Sequence, residues 1–402
     1  MARIILISAG SDGDVLPLVS LGAAMERRGH EIALIAQVRY RRWAEERGWQ
    51  FGAICPPEEY ERRLRDAALM RSGHFVLFAQ RYFHSWNVRI LNYIGSLTTP
   101  RDTLLVSVPA GKVGADLMAR VYWGIPLVWV HLTPPCPGFV QQLQRPLPAE
   151  ERRRRSLVYD GLLRAVAEDL EFAPRPAAMR RFLRSAAAVR KIALWPEWFA
   201  NEEANSGFEE NFGFVPPPRS RGDETSRAPK PGGHIVFLAG TIGTIQEWAG
   251  PFFRTSVEAC RELKRECVLI GGTREDVPDV LPSGCTWHEW AALDVALGGA
   301  AAVVHHGGIG TIGQSIRSGV PQLAVPRAFG QHSNAAWMER LGVGRVLAGS
   351  NYHQKRVVRE LHRLTGSSRV RERCIQYRDR SGEFDSVEAA CQILNHQIRH
   401  HS

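Results

Sequence analysis

The residues between His305 and Thr311 have the types and spacing of an anion-binding turn. They end a short apolar run rich in Ala and Val, which is typical of a strand buried on both faces. Glycines then lead into a helical pattern, which Gly319 and Pro321 end. Such a turn exposes backbone N–H groups at the positive end of a helix dipole. We therefore expect a phosphate or diphosphate to bind here.

The charges around this turn agree with that expectation. No Asp or Glu occurs from Val295 to Met338, whereas Arg317, Arg327 and three histidines do. A helix start that is free of carboxylates and flanked by basic side chains favours a negatively charged ligand.

A dinucleotide site is the main alternative, because Gly308, Gly310 and Gly313 form the pattern GxGxxG. That fingerprint needs an acidic residue about twenty positions later to bind the ribose hydroxyls. The first carboxylate after the turn is Glu339, which falls inside a later helical pattern. This weakens the dinucleotide interpretation and leaves the phosphate interpretation intact. A third explanation stays open, in which the glycines only allow the helix to pack closely against the strand.

A second set of reactive residues lies in the loop Ala9–Asp14, with the sequence AGSDGD, before the first helix. Asp12 and Asp14 have the Asp-x-Asp spacing of a metal site, although no further cluster of oxygen ligands accompanies them. A single carboxylate at a helix start is also well placed to act as a general base. Asp14 is equally suited to cap the helix. A dinucleotide loop would need an acid after the second strand, where Ala36 and Gln37 stand.

Alternating strand and helix patterns must position these two loops, and that alternation is typical of βαβ units in a parallel sheet. In the first half, the predicted strands are Ile4–Ser8, Glu31–Ala36, Leu104–Val108, Pro126–Val130 and Lys191–Trp195. The predicted helices there are Leu16–Arg28, Tyr40–Arg47, most of Glu58–Leu97, a segment through Met118, Glu150–Leu170 and Ala177–Ala187. In the second half, the predicted strands are His234–Ala239, Val268–Ile270 and the run before the glycine turn. The helices there are Trp248–Lys264, the one after the turn, His353–Thr365, Val370–Arg378 and Val387–Arg399.

The segment Val215–Gly233 is the clearest linker, because it is rich in proline and charge and has no periodicity. We therefore predict an N-terminal domain over residues 1–214, a linker over 215–233 and a C-terminal domain over 234–385. Residues 386–402 form a terminal helix that we expect to pack back on the N-terminal domain. Two doubly wound α/β domains of this kind bind ligands in the crevice between their strand ends.

The segment Glu58–Leu97 is rich in aromatic residues, and two interpretations of them stay open. The residues are Phe75, Phe78, Tyr82, Phe83, Trp86 and Tyr93. They form part of the core in one interpretation, and some of them line an apolar ligand pocket in the other.

Length and composition indicate a soluble globular protein of two domains. The chain has 402 residues, of which 44% are hydrophobic and 23% charged, and no apolar run is long enough to span a membrane. The first ten residues predict a strand and not a signal peptide, because the apolar run is short and leads straight into a glycine turn. The seven scattered cysteines show no metal-ligand spacing, so we expect reduced thiols and a cytoplasmic location.

The net charge of +10 includes three basic clusters, at Arg62–Arg71, Arg152–Arg155 and Arg180–Arg190. Their arginines alternate with acidic residues and helix formers, which favours solvated helix faces. Weak peripheral association of these basic helices with an anionic membrane is the second interpretation. Nucleic acid is not an expected partner, because no recognition motif or groove of interleaved aromatic and basic residues is present.

Both halves together resemble the UDP- and dTDP-sugar-dependent glycosyltransferase superfamily of GT-B fold. The bacterial branch of antibiotic, sterol and rhamnolipid glycosyltransferases is the most similar. The N-terminal match comprises Gly10-Ser11-x-Gly13-Asp14-x-x-Pro17, Leu21-Gly22 and Arg28-Gly29-His30-Glu31. The C-terminal match comprises His305-His306-Gly307-Gly308-x-Gly310-Thr311, Gly319-Val320-Pro321-Gln322, Gln331, Asn334-Ala335 and Leu341-Gly342-Val343-Gly344. Trp195-Pro196-Glu197-Trp198 and Gly213-Phe214 are similar to the family's approach to the second domain.

The resemblance implies an inverting transfer of a sugar to a small, apolar, hydroxyl- or amine-bearing acceptor such as a secondary metabolite or lipid. Two Rossmann-like domains would face a central cleft, with the acceptor on the N-terminal domain and the donor on the C-terminal domain. Asp14 would be the general base, and no metal or other cofactor would be required. Donor contacts would come from Ser11, Gly240, Thr241, His306, Gly308, Gly310, Thr311 and Gln331.

This chain departs from the family pattern at three places. Gly330 stands before Gln331 where the family usually has Asp, which normally binds sugar hydroxyls, so an altered sugar is favoured over glucose. The usual proline of the base-binding loop is missing near Trp290–Leu293, which leaves uracil and thymine open. The segment Leu104–Pro109 lacks the aspartate that pairs with a catalytic histidine in plant members, which suits a lone aspartate base. Two alternatives remain, a non-catalytic nucleotide-sugar-binding helper and a sugar-nucleotide epimerase of the same fold.

Overall fold

The computed structural model describes residues 1–60, 62, 75–97, 102–109, 114–135, 188–218, 233–240, 246–327 and 329–400. The predicted helices Glu150–Leu170 and Ala177–Ala187, most of the predicted linker, most of the three basic clusters and Thr241 lie outside these residues.

The N-terminal half is built on a parallel sheet with seven strands among the described residues, in the order β3-β2-β1-β4-β5-β6-β7. The strands are β1 (Arg3–Ser8), β2 (Glu31–Ala36), β3 (Gln50–Ala53), β4 (Thr103–Ser107), β5 (Leu127–His131), β6 (Arg190–Ala193) and β7 (Glu210–Asn211). The helices described here are α1 (Asp12–Glu26), α2 (Arg41–Glu45), α3 (Phe75–Leu97), α4 (Ala115–Trp123) and α5 (Glu202–Asn205). The continuous apolar sequences of β1 and β4 are buried along their length, as expected for strands covered on both faces.

The C-terminal half repeats this plan with a parallel sheet of six described strands, in the order β10-β9-β8-β11-β12-β13. The strands are β8 (Ile235–Leu238), β9 (Cys267–Ile270), β10 (Cys285–His288), β11 (Ala302–His305), β12 (Gln322–Ala324) and β13 (Gly344–Val346). The helices are α6 (Gln246–Leu263), α7 (Leu293–Ala296), α8 (Ile309–Arg317), α9 (Phe329–Arg340), α10 (Gln354–Thr365), α11 (Ser368–Gly382) and α12 (Ser386–Arg399). No helix in the described parts of the chain is long and apolar enough to cross a membrane.

The direction of strand addition reverses once in each sheet. The reversal lies between β1 and β4 in the first sheet and between β8 and β11 in the second. Loops that leave the carboxyl ends of strands at such a point splay apart and open a crevice for ligands. The loop Ala9–Ser11 leaves β1, and the glycine turn leaves β11, so both candidate loops lie at these points.

The two halves share one large apolar core cluster. It contains residues of β1 and α1 together with residues of α8, α9 and α12. A side-chain hydrogen bond also joins the halves, since Trp337 Nε1 donates to the carbonyl oxygen of Pro135 (3.1 Å). Ser20 Oγ donates to the carbonyl oxygen of Pro216 (2.6 Å), at the start of the predicted linker.

The terminal helix α12 packs against α1 of the N-terminal half. His30 Nε2 and Asn395 Oδ1 form a hydrogen bond of 2.9 Å, and Arg28 forms an ion pair with Glu388. The chain therefore passes from the first half to the second and finally returns to the first.

The structure differs from the predicted elements in a few places. Helix α1 begins at Asp12, earlier than the predicted Leu16, because Ser11 takes the N-cap position. Strands β3, β7, β10, β12 and β13 were not predicted, since each is only two to four residues long. The aromatic side chains of Tyr82, Phe83 and Trp86 are at most 5% exposed and belong to the core. This burial favours the core interpretation for these three residues, and the pocket interpretation stays a prediction.

Candidate active site

The glycine turn is fixed by contacts that only glycine permits. Gly307 has a φ of +86°, and a Cβ atom there would lie 2.8 Å from the carbonyl oxygen of Gln331. Behind the turn, the N–H of Gly307 donates to Nδ1 of His305 (3.0 Å), and Nδ2 of Asn334 donates to the Gly307 carbonyl (3.2 Å). Both backbone groups of Gly307 are thus held by buried side chains, which sets the course of the turn.

His305 supports the turn from within the core and does not offer its charge to a ligand. Its Nδ1 accepts the Gly307 N–H, so the ring proton sits on Nε2 and is donated to Oε1 of Gln322 (3.1 Å). Complete burial, with a smaller effect of the neighbouring His306, lowers the pKa of His305 to about 3. This imidazole is therefore neutral at physiological pH.

The ring of His306 lies directly over Gly308, where a Cβ atom would be 2.6 Å from Nε2. Burial lowers the pKa of His306 to about 4, although the nearby Leu238 backbone has a smaller effect that raises it. Its Nδ1 is buried and has no hydrogen-bond partner among the described residues. The expectation that these two histidines add positive charge to the site is wrong, because desolvation keeps both rings neutral.

The start of α8 supplies the remaining groups of the turn. Gly308 is the N-cap, and the first turn of the helix contains no acidic residue. Its backbone N–H groups therefore form the positive end of the helix dipole. Gly310 faces open space, because a Cβ atom there would meet no atom within 4 Å. The next residue, Thr311, is buried, with 8% of its surface exposed.

Two further predicted donor residues lie next to this turn. Gln331, at the start of α9, packs its backbone against Gly307, and its Oε1 accepts the N–H of Arg327 (2.8 Å). Gly240 follows β8, the strand that pairs with β11 at the reversal point. Thr241 falls outside the described residues.

In the N-terminal half, the Asp14 side chain folds back over the loop that precedes α1. Its Oδ2 accepts hydrogen bonds from the backbone N–H of Ser11 (2.8 Å) and from Ser11 Oγ (3.1 Å). A Cβ atom at Gly10 would lie 2.1 Å from this oxygen, so only glycine leaves room for the carboxylate. Asp14 thus forms a capping box with the N-cap residue Ser11, and its Oδ1 has no hydrogen-bond partner among the described residues.

Asp12 has different partners, although it is only two residues away. Its Oδ1 accepts a hydrogen bond from the Tyr40 hydroxyl (2.7 Å) and lies 3.5 Å from the Arg39 guanidinium. Burial, and then the Asp12 charge, raise the pKa of Tyr40 well above its usual value, so this hydroxyl remains a donor. In the described part of the chain, no three His, Cys, Asp or Glu side chains are grouped to hold a metal. The geometry therefore gives no support to an Asp-x-Asp metal site.

The two candidate loops open toward the same crevice. Helices α1 and α8 are in contact, and the gap lined by Gly13, Pro17 and Gly310 holds only about 20 Å³. The ring of Phe214 fills the adjacent space, where it packs against Gly313. The helix start that carries Asp14 and the helix start that follows the glycine turn therefore lie side by side.

Sequence reasoning did not assign the supporting residues of this site. Asn334 belongs to the matched donor pattern, but its bond to the Gly307 carbonyl depends on how α9 packs. The contact of Tyr40 with Asp12 joins positions from separate elements and leaves no local sequence signal. Phe214 stands beside the predicted linker, and only the folded chain shows that it packs against α8.

Comparison with protein families agrees with this geometry. Residues 255–384 match the family described as the C-terminal domain of erythromycin biosynthesis protein CIII-like proteins. A sterol 3-beta-glucosyltransferase of Pichia angusta is 23% identical over an alignment that covers 99% of this chain. The chain spans only 34% of the length of that relative. An O-mycaminosyltylonolide 6-deoxyallosyltransferase of Streptomyces fradiae is 24% identical, and the alignment covers 85% of this chain and 84% of that protein.

Solved structures share this fold. The glycotransferase of kitacinnamycin superposes with a TM-score of 0.75 at 20% identity, covering 99% of both chains. The glycosyltransferase VinC, solved in complex with dTDP, gives a TM-score of 0.71 at 17% identity, covering 99% of this chain and 100% of that one. These matches confirm the resemblance to the UDP- and dTDP-sugar-dependent glycosyltransferase superfamily of GT-B fold that the sequence shows.

Proposed function

We propose that this protein transfers a sugar from a UDP- or dTDP-sugar to a hydroxyl or amine of a small apolar acceptor, with inversion at the anomeric carbon. One observation carries the proposal. The Asp14 helix start and the glycine-turn helix start lie side by side in one crevice, at the reversal points of both sheets. This arrangement supplies a carboxylate on one side and an anion-binding turn on the other.

The glycine turn would hold the diphosphate of the donor. Backbone N–H groups at the start of α8 stabilise negative charge without a cation, and that charge grows as the sugar leaves. The neutral ring of His306 has a buried Nδ1 without a partner in the described structure, so it suits a hydrogen bond to the donor. Thr311 lies in the first turn of α8, and Gln331 packs against Gly307. Ser11 follows β1 and Gly240 follows β8, the strands at the reversal points of the two sheets.

Asp14 would accept the proton of the acceptor as its oxygen or nitrogen attacks the anomeric carbon in line. An ionised carboxylate is a weak base toward an alcohol, but it becomes effective when the proton moves as the new bond forms. Oδ2 is anchored by Ser11, which leaves Oδ1 for the acceptor. A metal ion is not part of this proposal, since Asp12 is already engaged by Tyr40 and Arg39.

The relatives support the proposed substrate classes. One is named for the transfer of a 6-deoxy sugar to a tylonolide, and others are named for glucosyl transfer to sterols. VinC and the Streptomyces sp. SF2575 enzyme SsfS6 were solved with thymidine diphosphate. We therefore propose a deoxy- or amino-sugar nucleotide as donor and a polycyclic or macrocyclic natural product or lipid as acceptor.

The decisive test is the substitution Asp14→Asn, with Asp12→Asn as a matched control at the neighbouring carboxylate. Asparagine still accepts the Ser11 N–H and so keeps the cap, but it takes up no proton. We expect Asp14→Asn to lower kcat by at least about a hundredfold with nucleotide affinity unchanged. Asp12→Asn retains an oxygen for Tyr40 and should stay within about tenfold of the parent protein.

The measurement combines nucleotide release in an acceptor screen with thermal shifts in UDP, dTDP, GDP and NAD, each with and without EDTA. A nucleotide at a hundred times its dissociation constant stabilises the folded state by about 2.7 kcal/mol. A shift with UDP or dTDP that persists in EDTA supports the metal-free donor site. A shift with NAD alone would refute it. Nucleotide binding without turnover that depends on Asp14 would favour a non-catalytic helper, which the loss of the usual Asp at Gly330 also favours.

A further inference from the structure

A second pocket lies on the C-terminal half, away from the crevice. Its volume is about 370 Å³, and it is lined by the C-terminal ends of α9 and α10, the start of β13 and the start of α11. The strands of this sheet are parallel, so the start of β13 is at the opposite edge of the sheet from the glycine turn, which follows the end of β11. The pocket is therefore separate from the proposed donor site.

Arginine dominates the wall of this pocket. Five arginines line it, namely Arg340, Arg345, Arg363, Arg369 and Arg373. Glu339 is the one carboxylate among the described lining residues, and its Oε1 already accepts the N–H of Val346 (3.0 Å).

The neighbouring acidic residues do not neutralise these arginines. Glu360 is buried beside the pocket and pairs with Arg345 (2.6 Å) and Arg363 (3.3 Å). The same carboxylate also pairs with Arg356 (3.2 Å) and Arg359 (3.9 Å), so four guanidinium groups share one negative charge.

Three arginines of the wall have no carboxylate partner among the described residues. Arg340 lies 5.4 Å from the centre of the Trp337 ring, and Arg373 donates to Oε1 of Gln376 (2.8 Å). Arg369, in the first turn of α11, forms neither an ion pair nor a side-chain hydrogen bond. The pocket therefore holds a surplus of positive charge that its own structure does not use.

The start of α11 adds further donors to the same pocket. Ser367 is the N-cap of this fifteen-residue helix and lines the pocket together with Arg369 and Val370. The Ser367 hydroxyl accepts the N–H of Val370 (3.3 Å). The positive end of the helix dipole and the neighbouring guanidinium groups lie together at this helix start. A guanidinium group donates two parallel hydrogen bonds, which match the several oxygens of a phosphate group.

From the volume of this half-open pocket, the unneutralised arginines and the helix start, we infer that it is a second anion site that binds a phosphate-bearing ligand. The phosphate could be presented by a soluble diphosphate or by the headgroup of an anionic phospholipid. The inference does not depend on transferase activity, because the two sites lie at opposite edges of the sheet.

The test is a calorimetric titration of the full chain with pyrophosphate. No nucleotide is added, because UDP and dTDP are themselves diphosphates, and the variants separate the pocket from the donor site. The pocket variant is Arg369→Gln/Arg373→Gln. The matched control is Arg371→Gln/Arg378→Gln, which removes the same charge from the same helix outside the pocket. We expect pyrophosphate affinity to fall by at least about tenfold in the pocket variant and by less than about twofold in the control.

The same proteins are then mixed with vesicles of phosphatidylcholine, with or without phosphatidylglycerol, and separated by sedimentation. Binding of pyrophosphate that only the pocket variant loses assigns a soluble ligand. Binding to phosphatidylglycerol vesicles that only the pocket variant loses assigns a lipid headgroup. Equal binding by all three proteins, equal loss in both variants, or no binding of either probe would overturn the site.

Discussion

At the scale of single residues, the position next to Gln331 sets an expectation for donor choice. Gly330 is exposed in the first turn of α9, and a Cβ atom there would meet no atom within 4 Å. An aspartate therefore fits without displacing a neighbour, and at this helix start it is compatible with the dipole. The absence of a carboxylate here motivates the proposal that the natural donor is not glucose.

We predict that Gly330→Asp raises kcat/KM for a glucose nucleotide relative to the natural donor by about tenfold, since one charged hydrogen bond to a sugar hydroxyl is gained. Gly330→Asn is the control, because it adds similar volume without the charge. The measurement is a competition between two donors at equal concentration. An unchanged ratio in both variants would show that this position does not contact the sugar.

At the scale of one element, the segment from β11 to α8 makes stability depend on pH. His305 and His306 have folded-state pKa values of about 3 and about 4, below the ordinary 6.5. As the pH falls through 6.5, the unfolded chain binds protons that the folded chain excludes. The free energy of unfolding therefore falls from pH 6.5 downward and levels off only near the folded pKa values.

We predict that each ring removes about 2 kcal/mol from the free energy of unfolding between pH 7 and pH 5. Urea unfolding of the parent protein and of His306→Asn at both pH values isolates the contribution of one ring. The variant should lose about 2 kcal/mol less over this interval than the parent. Identical losses would mean that His306 is protonated in the folded state.

The segment from β11 to α8 and the strand Gln50–Ala53 show how far the sequence predicts structure. The apolar run, glycines and helix stop of the segment from β11 to α8 predicted strand, turn and helix, because each signal is local. The strand Gln50–Ala53 was missed, since a partly exposed run of four residues has too little periodicity. The charge states of His305 and His306 were also missed, because they depend on burial by segments far away in the chain.

Part of the candidate site could likewise be predicted from the sequence, and part of it needed the fold. The sequence placed His306, Gly308, Gly310 and Thr311 together, and the structure has them on one turn. The sequence left two roles open for Asp14, namely helix capping and general base catalysis. The structure shows the hydrogen bonds of a helix cap, whereas the role as general base stays a prediction. The partners of Asp12 needed the fold, because Arg39 and Tyr40 approach from beyond the second strand.

At the scale of the whole molecule, the shared core couples the two halves. One apolar cluster contains residues of both sheets, and Phe214 belongs to it at the contact with α8. Phe237, by contrast, belongs to a cluster confined to the C-terminal half. Halves that share this much buried surface should unfold together.

We predict a single calorimetric unfolding transition for the parent protein. Phe214→Ala should cost about 3–5 kcal/mol and split the transition, because it removes packing between the halves. Phe237→Ala is the matched control, and it should lower the transition temperature while the transition stays single. Two transitions in the parent protein would contradict the coupling.

The chain path has a mechanical consequence for the molecule. The segment that leaves the first half and the segment that returns to it touch, since a Cβ atom on Gly213 would lie 2.6 Å from Ser386 Oγ. Two adjacent connecting segments define an axis about which the two halves could rotate as a hinge. A rotation about that axis would displace atoms beside Gly213 very little and atoms of the crevice far from Gly213 most. Substrates would therefore enter at the part of the crevice farthest from Gly213, while the chain beside the axis keeps its shape.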